Sequence, residues 1–248
     1  LQIQQVVDSV QEEKKMRRHA IRYGRCNLHQ SHAYTDYDID RCATPVAGRN
    51  NVLVIGDSQA ADIYMVLSMA WPEVHFLQAT AGACTALRKN SDVKGRYSAC
   101  AALNEYRFSE MVELDIDLVV LASTWSRDRI QPLKETVEYL RSKGKRVLVV
   151  GPRATFRASL PLLISQQASL DGANDALRER AVRKEDLLEE MRDALPEVDI
   201  LDIASVQCTP HSDVIEGKRL RYYDWMHFTE AGARRMGERL RESFDLIG

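Results

Sequence analysis

The chain has 248 residues, of which 45% are hydrophobic and 28% are charged, so it is long enough to bury one large core or two small ones. Its formal net charge of −2 gives no overall attraction to nucleic acid or to an anionic membrane face, and we expect no nucleic-acid partner. No run of about 18 apolar residues occurs, so the sequence contains no candidate transmembrane helix.

The first 50 residues differ in composition from the rest of the chain. Residues 3–22 are charged, with apolar positions at helical spacing, whereas residues 25–51 are polar and rich in Tyr, His, Asp and Asn. The composition changes abruptly at Val52. We therefore predict an N-terminal helix and connecting extension over residues 1–50 and a main domain over residues 51–248.

From residue 52 onward, short apolar runs alternate with amphipathic stretches. The runs predict strands at residues 52–55, 74–78, 118–122, 147–150 and 198–203. The stretches between and after them predict helices at residues 59–70, 101–113, 132–143, 175–194 and 229–244. Strands that are apolar on both faces need cover on both sides, so the sequence predicts an α/β protein, a three-layer α/β/α sandwich around a mainly parallel sheet. Residues 153–172 show no clear period and predict a long loop at the sheet edge, where such loops often line active sites.

Four of the five cysteines form two pairs of equal spacing, Cys26 with Cys42 and Cys84 with Cys100. In an oxidising compartment each pair can close a short loop, and a bridge over about 15 residues contributes roughly 3 kcal/mol. In a reducing compartment the same residues would be reduced core cysteines. Cys208 has no obvious partner. Zinc sites need clustered ligands such as Cys-x-x-Cys, which are lacking, and we expect no metal or other cofactor.

The first motif that carries chemistry is Gly56-Asp57-Ser58, between a predicted strand and a predicted helix. In open α/β sheets, ligands bind at the carboxyl ends of the strands. A serine at this position lies at a helix N-terminus, where backbone N–H groups stabilise a developing oxyanion. The structural alternative is that Asp57 or Ser58 only caps the helix.

The second motif is the Asp224-x-x-His227 stretch near the other end of the chain. Residues three apart on a tight turn place a carboxylate beside the imidazole Nδ1 and leave Nε2 free to take a serine proton. The structural alternative is that His227 is a packed residue before a helix that Thr229 caps. Because two such motifs coincide in one sheet, we predict a Ser58-His227-Asp224 catalytic triad.

These residues resemble those of the SGNH hydrolase superfamily and, more narrowly, of the SGNH domains that are fused to bacterial membrane acyltransferase-3 domains. The resemblance covers about residues 50–245. Its motifs are Gly56-Asp57-Ser58, Gly82-Ala83-Cys84, Leu121-Ala122-Ser123-Thr124-Trp125, Val149-Val150-Gly151-Pro152, Phe156, and Asp224 with His227. Cys84 and Cys100 also fall where members of this subgroup tend to have a bridged pair.

The resemblance implies an SGNH-type catalytic domain that O-acylates, most often O-acetylates, a bacterial cell-surface or secreted polysaccharide. The acyl donor would come from a membrane acyltransferase domain in the same full-length chain, and the location would be periplasmic. Because the chain begins with Leu1 rather than Met, we expect an excised domain or a removed leader, with the tethering spans before it.

Two departures from the family pattern affect the expected site. The wider superfamily has an Asn that supplies a third oxyanion donor, but the corresponding strand end here contains none. We therefore predict an oxyanion hole that rests on the backbone N–H groups of Ser58 and Gly82. The second departure is Gln59, where the narrower subgroup often has His.

Trp125 is a candidate for substrate binding, because sugar rings stack on aromatic faces; the alternative is a core aromatic at a strand end. Two other functions remain open for the whole chain. One is a carbohydrate esterase, which would pass the acyl group to water. The other is a non-catalytic carbohydrate-binding domain that keeps the fold without turnover.

Overall fold

The computed structural model describes residues 2–89, 98–167, 169, 174, 181–208, 214–216 and 219–247, and within them six strands form one parallel sheet. The strands in chain order are β1 (Asn27–Leu28), β2 (Asn51–Gly56), β3 (His75–Ala81), β4 (Leu118–Ala122), β5 (Arg146–Val150), β6 (Thr155–Phe156), β7 (Ala181–Val182), β8 (Asp199–Leu201), β9 (Ile215–Glu216) and β10 (Arg219–Leu220). The parallel sheet has the order β1-β3-β2-β4-β5-β8, while β6 with β7 and β9 with β10 form two small antiparallel ribbons.

Helices cover both faces of this sheet. They are α1 (Gln2–Asp8), α2 (Val10–Ala20), α3 (Ile39–Cys42), α4 (Ser58–Ala70), α5 (Ser98–Ser109), α6 (Ile130–Ser142), α7 (Leu160–Ser165), α8 (Glu185–Ala194), α9 (Ile203–Gln207) and α10 (Glu230–Ser243). Val52 and Val54 of β2 pack into the core beneath α4 and α10, whereas Leu53 and Ile55 pack into the core beneath α5, α6 and α8. The predicted three-layer α/β/α sandwich is confirmed. Within the described ranges, no helix is long and apolar enough to cross a bilayer.

The N-terminal extension contributes a strand that the sequence did not predict. β1 pairs with β3 at the sheet edge, with Asn27 opposite Thr80 and Leu28 opposite Ala81. A strand of two residues is too short for a periodic signal, which explains why the polar composition indicated only an irregular connector. The division of the chain at residue 50 stays a prediction.

Several element boundaries also differ from the predicted ones. Residues 153–172 are not one loop, since they contain β6 and α7, and residues 168 and 170–172 lie outside the described residues. The strand predicted over 198–203 ends earlier because the Asp202 carboxylate accepts the Ser205 N–H at 3.1 Å and starts α9. The helix predicted over 101–113 ends at Ser109, and a 3-10 turn (Met111–Glu113) follows it. The helix predicted over 175–194 is wrong at Ala181–Val182, which form the strand β7; α8 covers Glu185–Ala194, and residues 175–180 lie outside the described residues.

Both predicted disulfides are present. Cys26 is bonded to Cys42 with their Cα atoms 5.4 Å apart, and Cys84 is bonded to Cys100 with theirs 5.6 Å apart. Cys208 is a free, half-buried thiol. All four bridged residues are buried in the core beneath α5 and α6. One bridge closes a loop within the extension and the other closes a loop after β3, and both lie in the same core.

Reduction is expected to destabilise the protein, because each bridge closes a loop of about 15 residues and is worth roughly 3 kcal/mol. The thermal unfolding midpoint should fall when a reductant is added. Peptide mapping without reductant should recover the two linked peptide pairs and a free Cys208. A link from Cys208 to any of the other four cysteines would contradict this pairing.

Candidate active site

The nucleophile candidate lies in the turn that connects β2 to α4. The Asp57 carboxylate caps α4, since its Oδ1 accepts the Gln59 N–H at 2.8 Å. Its Oδ2 accepts the Thr124 N–H, also at 2.8 Å, and so joins the turn to the end of β4. Asp57 therefore performs the capping role that the structural alternative offered, and the Ser58 hydroxyl is left for another contact.

That contact is with His227. The Ser58 Oγ lies 2.8 Å from the His227 Nε2, and the His227 Nδ1 lies 2.7 Å from the Asp224 Oδ2. The structure thus brings together the three side chains predicted from the two ends of the sequence. An ionised carboxylate only accepts hydrogen bonds, so the His227 proton belongs on Nδ1, and Nε2 is left to accept from the Ser58 hydroxyl.

Asp224 is held as an anion by its own turn. Its Oδ1 accepts the N–H groups of Met226 at 2.8 Å and of His227 at 2.7 Å. Burial raises the pKa of this carboxyl, but the hydrogen bonds from the His227 ring and from the two backbone amides outweigh burial and lower the pKa to about 2. Asp224 is consequently ionised at any neutral pH and can orient the imidazole.

The segment after β5 supports the turn from the other side. The Phe156 N–H donates to the Trp225 carbonyl at 2.9 Å, and the Leu160 N–H donates to the Asp224 carbonyl at 3.3 Å. The stretch predicted as an edge loop therefore does contact the candidate site, through β6 and the start of α7.

The predicted oxyanion donor Gly82 requires a correction. Its N–H donates to the Leu28 carbonyl at 2.9 Å, because β1 adds to the edge of β3 and extends the hydrogen-bonding ladder as far as Gly82. This N–H is thus not available to an oxyanion. The backbone N–H of Ser58 meets no acceptor in the part of the chain that the structure describes, and it lies at the N-terminus of α4.

The structure does not support a sugar-stacking role for Trp125. The residue is 2% exposed, and its indole N–H donates to the Val150 carbonyl at 2.7 Å. A ring so enclosed offers no free face, in agreement with the alternative of a core aromatic. Trp225, which the sequence reasoning did not single out, is 45% exposed and lies inside the Asp224-x-x-His227 turn. The sequence could have indicated Trp225, because it lies between two triad candidates, Asp224 and His227.

Solved structures include several that are similar to this chain. The chain resembles the periplasmic domain of a lipopolysaccharide acetyltransferase from Salmonella ser. Paratyphi A, with 19% identity over 94% of this chain and 95% of that one and a TM-score of 0.69. A carbohydrate acetylesterase from Sinorhizobium meliloti matches at 14% identity over 78% and 97% of the chains, with a TM-score of 0.45. An aryl esterase from M. smegmatis matches at 16% identity over 78% and 97%, with a TM-score of 0.43. At 19% identity, the similarity to the Salmonella domain shows a shared fold and nothing further.

The search of curated proteins returns no match to this chain. A family model, by contrast, matches most of its length. That model describes the SGNH domain that is fused to AT3 domains, and it aligns with residues 25–242. The expected resemblance is thereby confirmed, and the chain belongs to the family of SGNH domains fused to AT3 domains.

Proposed function

We propose that the chain is a serine-dependent O-acyltransferase domain, specifically an O-acetyltransferase, that acts on a bacterial cell-surface or secreted polysaccharide. The observation that carries the proposal is the unbroken hydrogen-bond chain from the Ser58 hydroxyl through the His227 ring to the Asp224 carboxylate. A nucleophile, a base and an orienting anion at these distances form the arrangement needed for covalent acyl transfer.

In the proposed first step, the His227 Nε2 takes the Ser58 proton while the Ser58 Oγ bonds to the acyl carbon of the donor ester. The tetrahedral oxyanion is stabilised by the Ser58 N–H at the start of α4. The bond from the acyl carbon to the donor oxygen then breaks, and the imidazolium gives its proton to that oxygen. The products are an acyl-Ser58 and the free donor alcohol.

In the second step, a sugar hydroxyl gives its proton to the His227 Nε2 and attacks the acyl carbon. The Ser58 Oγ leaves and recovers the proton from the imidazolium. Asp224 stays ionised throughout and stabilises the cationic ring in both steps. If water takes the place of the sugar, the same steps describe an esterase.

The small number of hydrogen-bond donors in the oxyanion hole favours transfer over hydrolysis. The Asn of the wider superfamily is absent from the end of β4, and the Gly82 N–H is occupied by the Leu28 carbonyl. Losing one such donor costs on the order of 100- to 1000-fold in rate. A bound acceptor hydroxyl offsets this deficit through its effective concentration, which water cannot match.

The proposed partners follow from the family. Its domains are fused to AT3 domains, so we propose that a membrane acyltransferase domain delivers the acyl donor and tethers this domain on the periplasmic side. An oxidising compartment agrees with the two disulfides.

The proposed catalytic domain spans residues 51–248, preceded by the extension of residues 1–50. For the polysaccharide acceptor, Trp225 offers an exposed indole face beside the triad.

The test measures how the acyl group is partitioned. The protein is incubated with p-nitrophenyl acetate while an oligosaccharide acceptor is titrated, and released acetate and acetylated sugar are quantified together. We expect slow acetate release without acceptor and a rising share of acetylated sugar as acceptor is added. Trp225→Ala should raise the acceptor concentration that gives half of this diversion. His227→Ala and Asp224→Asn should slow both products.

Two outcomes would contradict the proposal. Fast hydrolysis that no oligosaccharide diverts would favour the carbohydrate esterase. Sugar binding with neither acetate release nor acetyl transfer would favour the non-catalytic carbohydrate-binding domain.

A further inference from the structure

A buried carboxylate lies directly behind the candidate triad. Asp62 is on α4, one helical turn after Ser58, and its side chain is fully buried. Its Oδ1 accepts from the Arg17 Nε at 2.9 Å and the Arg17 Nη2 at 2.5 Å, and its Oδ2 accepts from the Arg153 Nη1 at 2.8 Å. Burial alone raises the pKa of the Asp62 carboxyl, but the two guanidinium groups outweigh burial and hold it below the usual range. Asp62 is therefore an anion between two buried cations.

This cluster holds the residues on both sides of His227. The Phe228 N–H donates to the Asp62 Oδ2 at 3.1 Å, and the Arg153 Nη2 donates to the Met226 carbonyl at 2.7 Å. Because Asp62 and Ser58 belong to the same helix, these contacts fix the turn that carries the base relative to the helix that carries the nucleophile.

Arg17 reaches the same turn by a second route. Its guanidinium lies 5.1 Å from the centre of the Tyr223 ring. That ring in turn lies against the His227 imidazole, with the two ring centres 5.6 Å apart and the planes 19° from parallel. Arg17 is only 6% exposed. It contacts two residues that hold His227 in place, Asp62 and Tyr223.

Arg17 belongs to α2, which precedes residue 25, where the family match begins. We propose that Arg17 is a positioning residue for His227, so that the working catalytic unit includes α2 of the N-terminal extension. This inference rests on the proposed function, because a positioned base matters only if His227 takes the Ser58 proton. The arginine fork contacts Asp62 with two nitrogens, which the single ammonium of a lysine cannot reproduce.

The test is the pre-steady-state release of p-nitrophenolate from p-nitrophenyl acetate at varied ester concentration, which separates the acylation rate constant from ester affinity. Arg17→Gln is expected to lower the acylation rate constant by about 100-fold, the effect of a displacement near 1 Å, with ester affinity within about twofold of wild type. Arg17→Lys should fall between Arg17→Gln and the wild type. The matched control is Arg18→Gln, because Arg18 is the exposed neighbour on α2 and its guanidinium lies 5.0 Å from the Tyr23 ring. This control should acylate at the wild-type rate.

The outcomes separate this inference from the proposed function. If folded Arg17→Gln acylates like the wild type while Ser58→Ala does not acylate, Arg17 is not a positioning residue and the proposed function stands. If Ser58→Ala keeps wild-type ester cleavage, the proposed function itself fails. If Arg17→Gln does not fold, Arg17→Lys decides, and a wild-type acylation rate constant in that variant overturns the proposal.

Discussion

Ser58→Ala is expected to lower the rate of ester cleavage by at least about 10,000-fold and to leave the fold intact. The Ser58 hydroxyl is hydrogen-bonded to the His227 Nε2, so its removal deletes the proposed nucleophile. Asp57 caps α4 in its place, and the helix start therefore does not depend on the missing oxygen. The rate is measured by release of p-nitrophenolate. Intact mass after incubation with the ester should show an acetyl adduct on the wild type and none on the variant.

The matched control is Ser68→Ala on the same helix, where the Ser68 hydroxyl donates to the Met65 carbonyl at 3.3 Å. This control should cleave the ester at the wild-type rate. Wild-type ester cleavage by Ser58→Ala would show that another residue is acylated.

Asp224→Asn should lower the rate of ester cleavage on the order of 1,000- to 10,000-fold, because an amide at this position no longer holds the imidazole in the tautomer that frees Nε2.

The main elements of this fold could be predicted from the sequence because their signals are local. β2 is apolar on both faces, and β2, β4 and β5 appear close to the predicted bounds. The two motifs of the candidate triad also lie within short stretches. The first motif runs into the start of α4, and the second ends two residues before Thr229, the N-cap of α10; both positions are visible in the residue order.

The parts that could not be predicted depend on contacts between distant segments. The occupation of the Gly82 N–H follows from β1, a strand of two residues whose pairing joins positions more than fifty residues apart. Trp125 is enclosed beside the neighbouring strand β5, whose Val150 carbonyl accepts its indole N–H. Arg17 looked like any charged residue of an amphipathic helix, and its role depends on Asp62, 45 positions later. No periodicity or short motif carries such information.

Among the glycines that the structure describes, Gly56 is the one whose added Cβ would lie closest to another atom. Its φ of +150° lies in a region that side chains rarely adopt, and a Cβ added there would lie 1.6 Å from the Ala122 carbonyl oxygen. Relief of that overlap requires β2 and β4 to separate at the point where the chain turns toward Ser58. Gly56→Ala should therefore lower the free energy of unfolding by about 3 kcal/mol or more.

Urea denaturation, followed by circular dichroism, measures this loss against Gly82→Ala. An added Cβ at Gly82 would have the His29 Cδ2 as its nearest atom, at 3.8 Å, which is an ordinary contact. Gly82→Ala also keeps the N–H that donates to the Leu28 carbonyl, so its stability should be unchanged or higher by up to about 1 kcal/mol. Equal denaturation midpoints for the two variants would mean that β2 and β4 accept a side chain at Gly56. The close approach of the two strands would then not be the reason that a glycine precedes the Asp57-Ser58 turn.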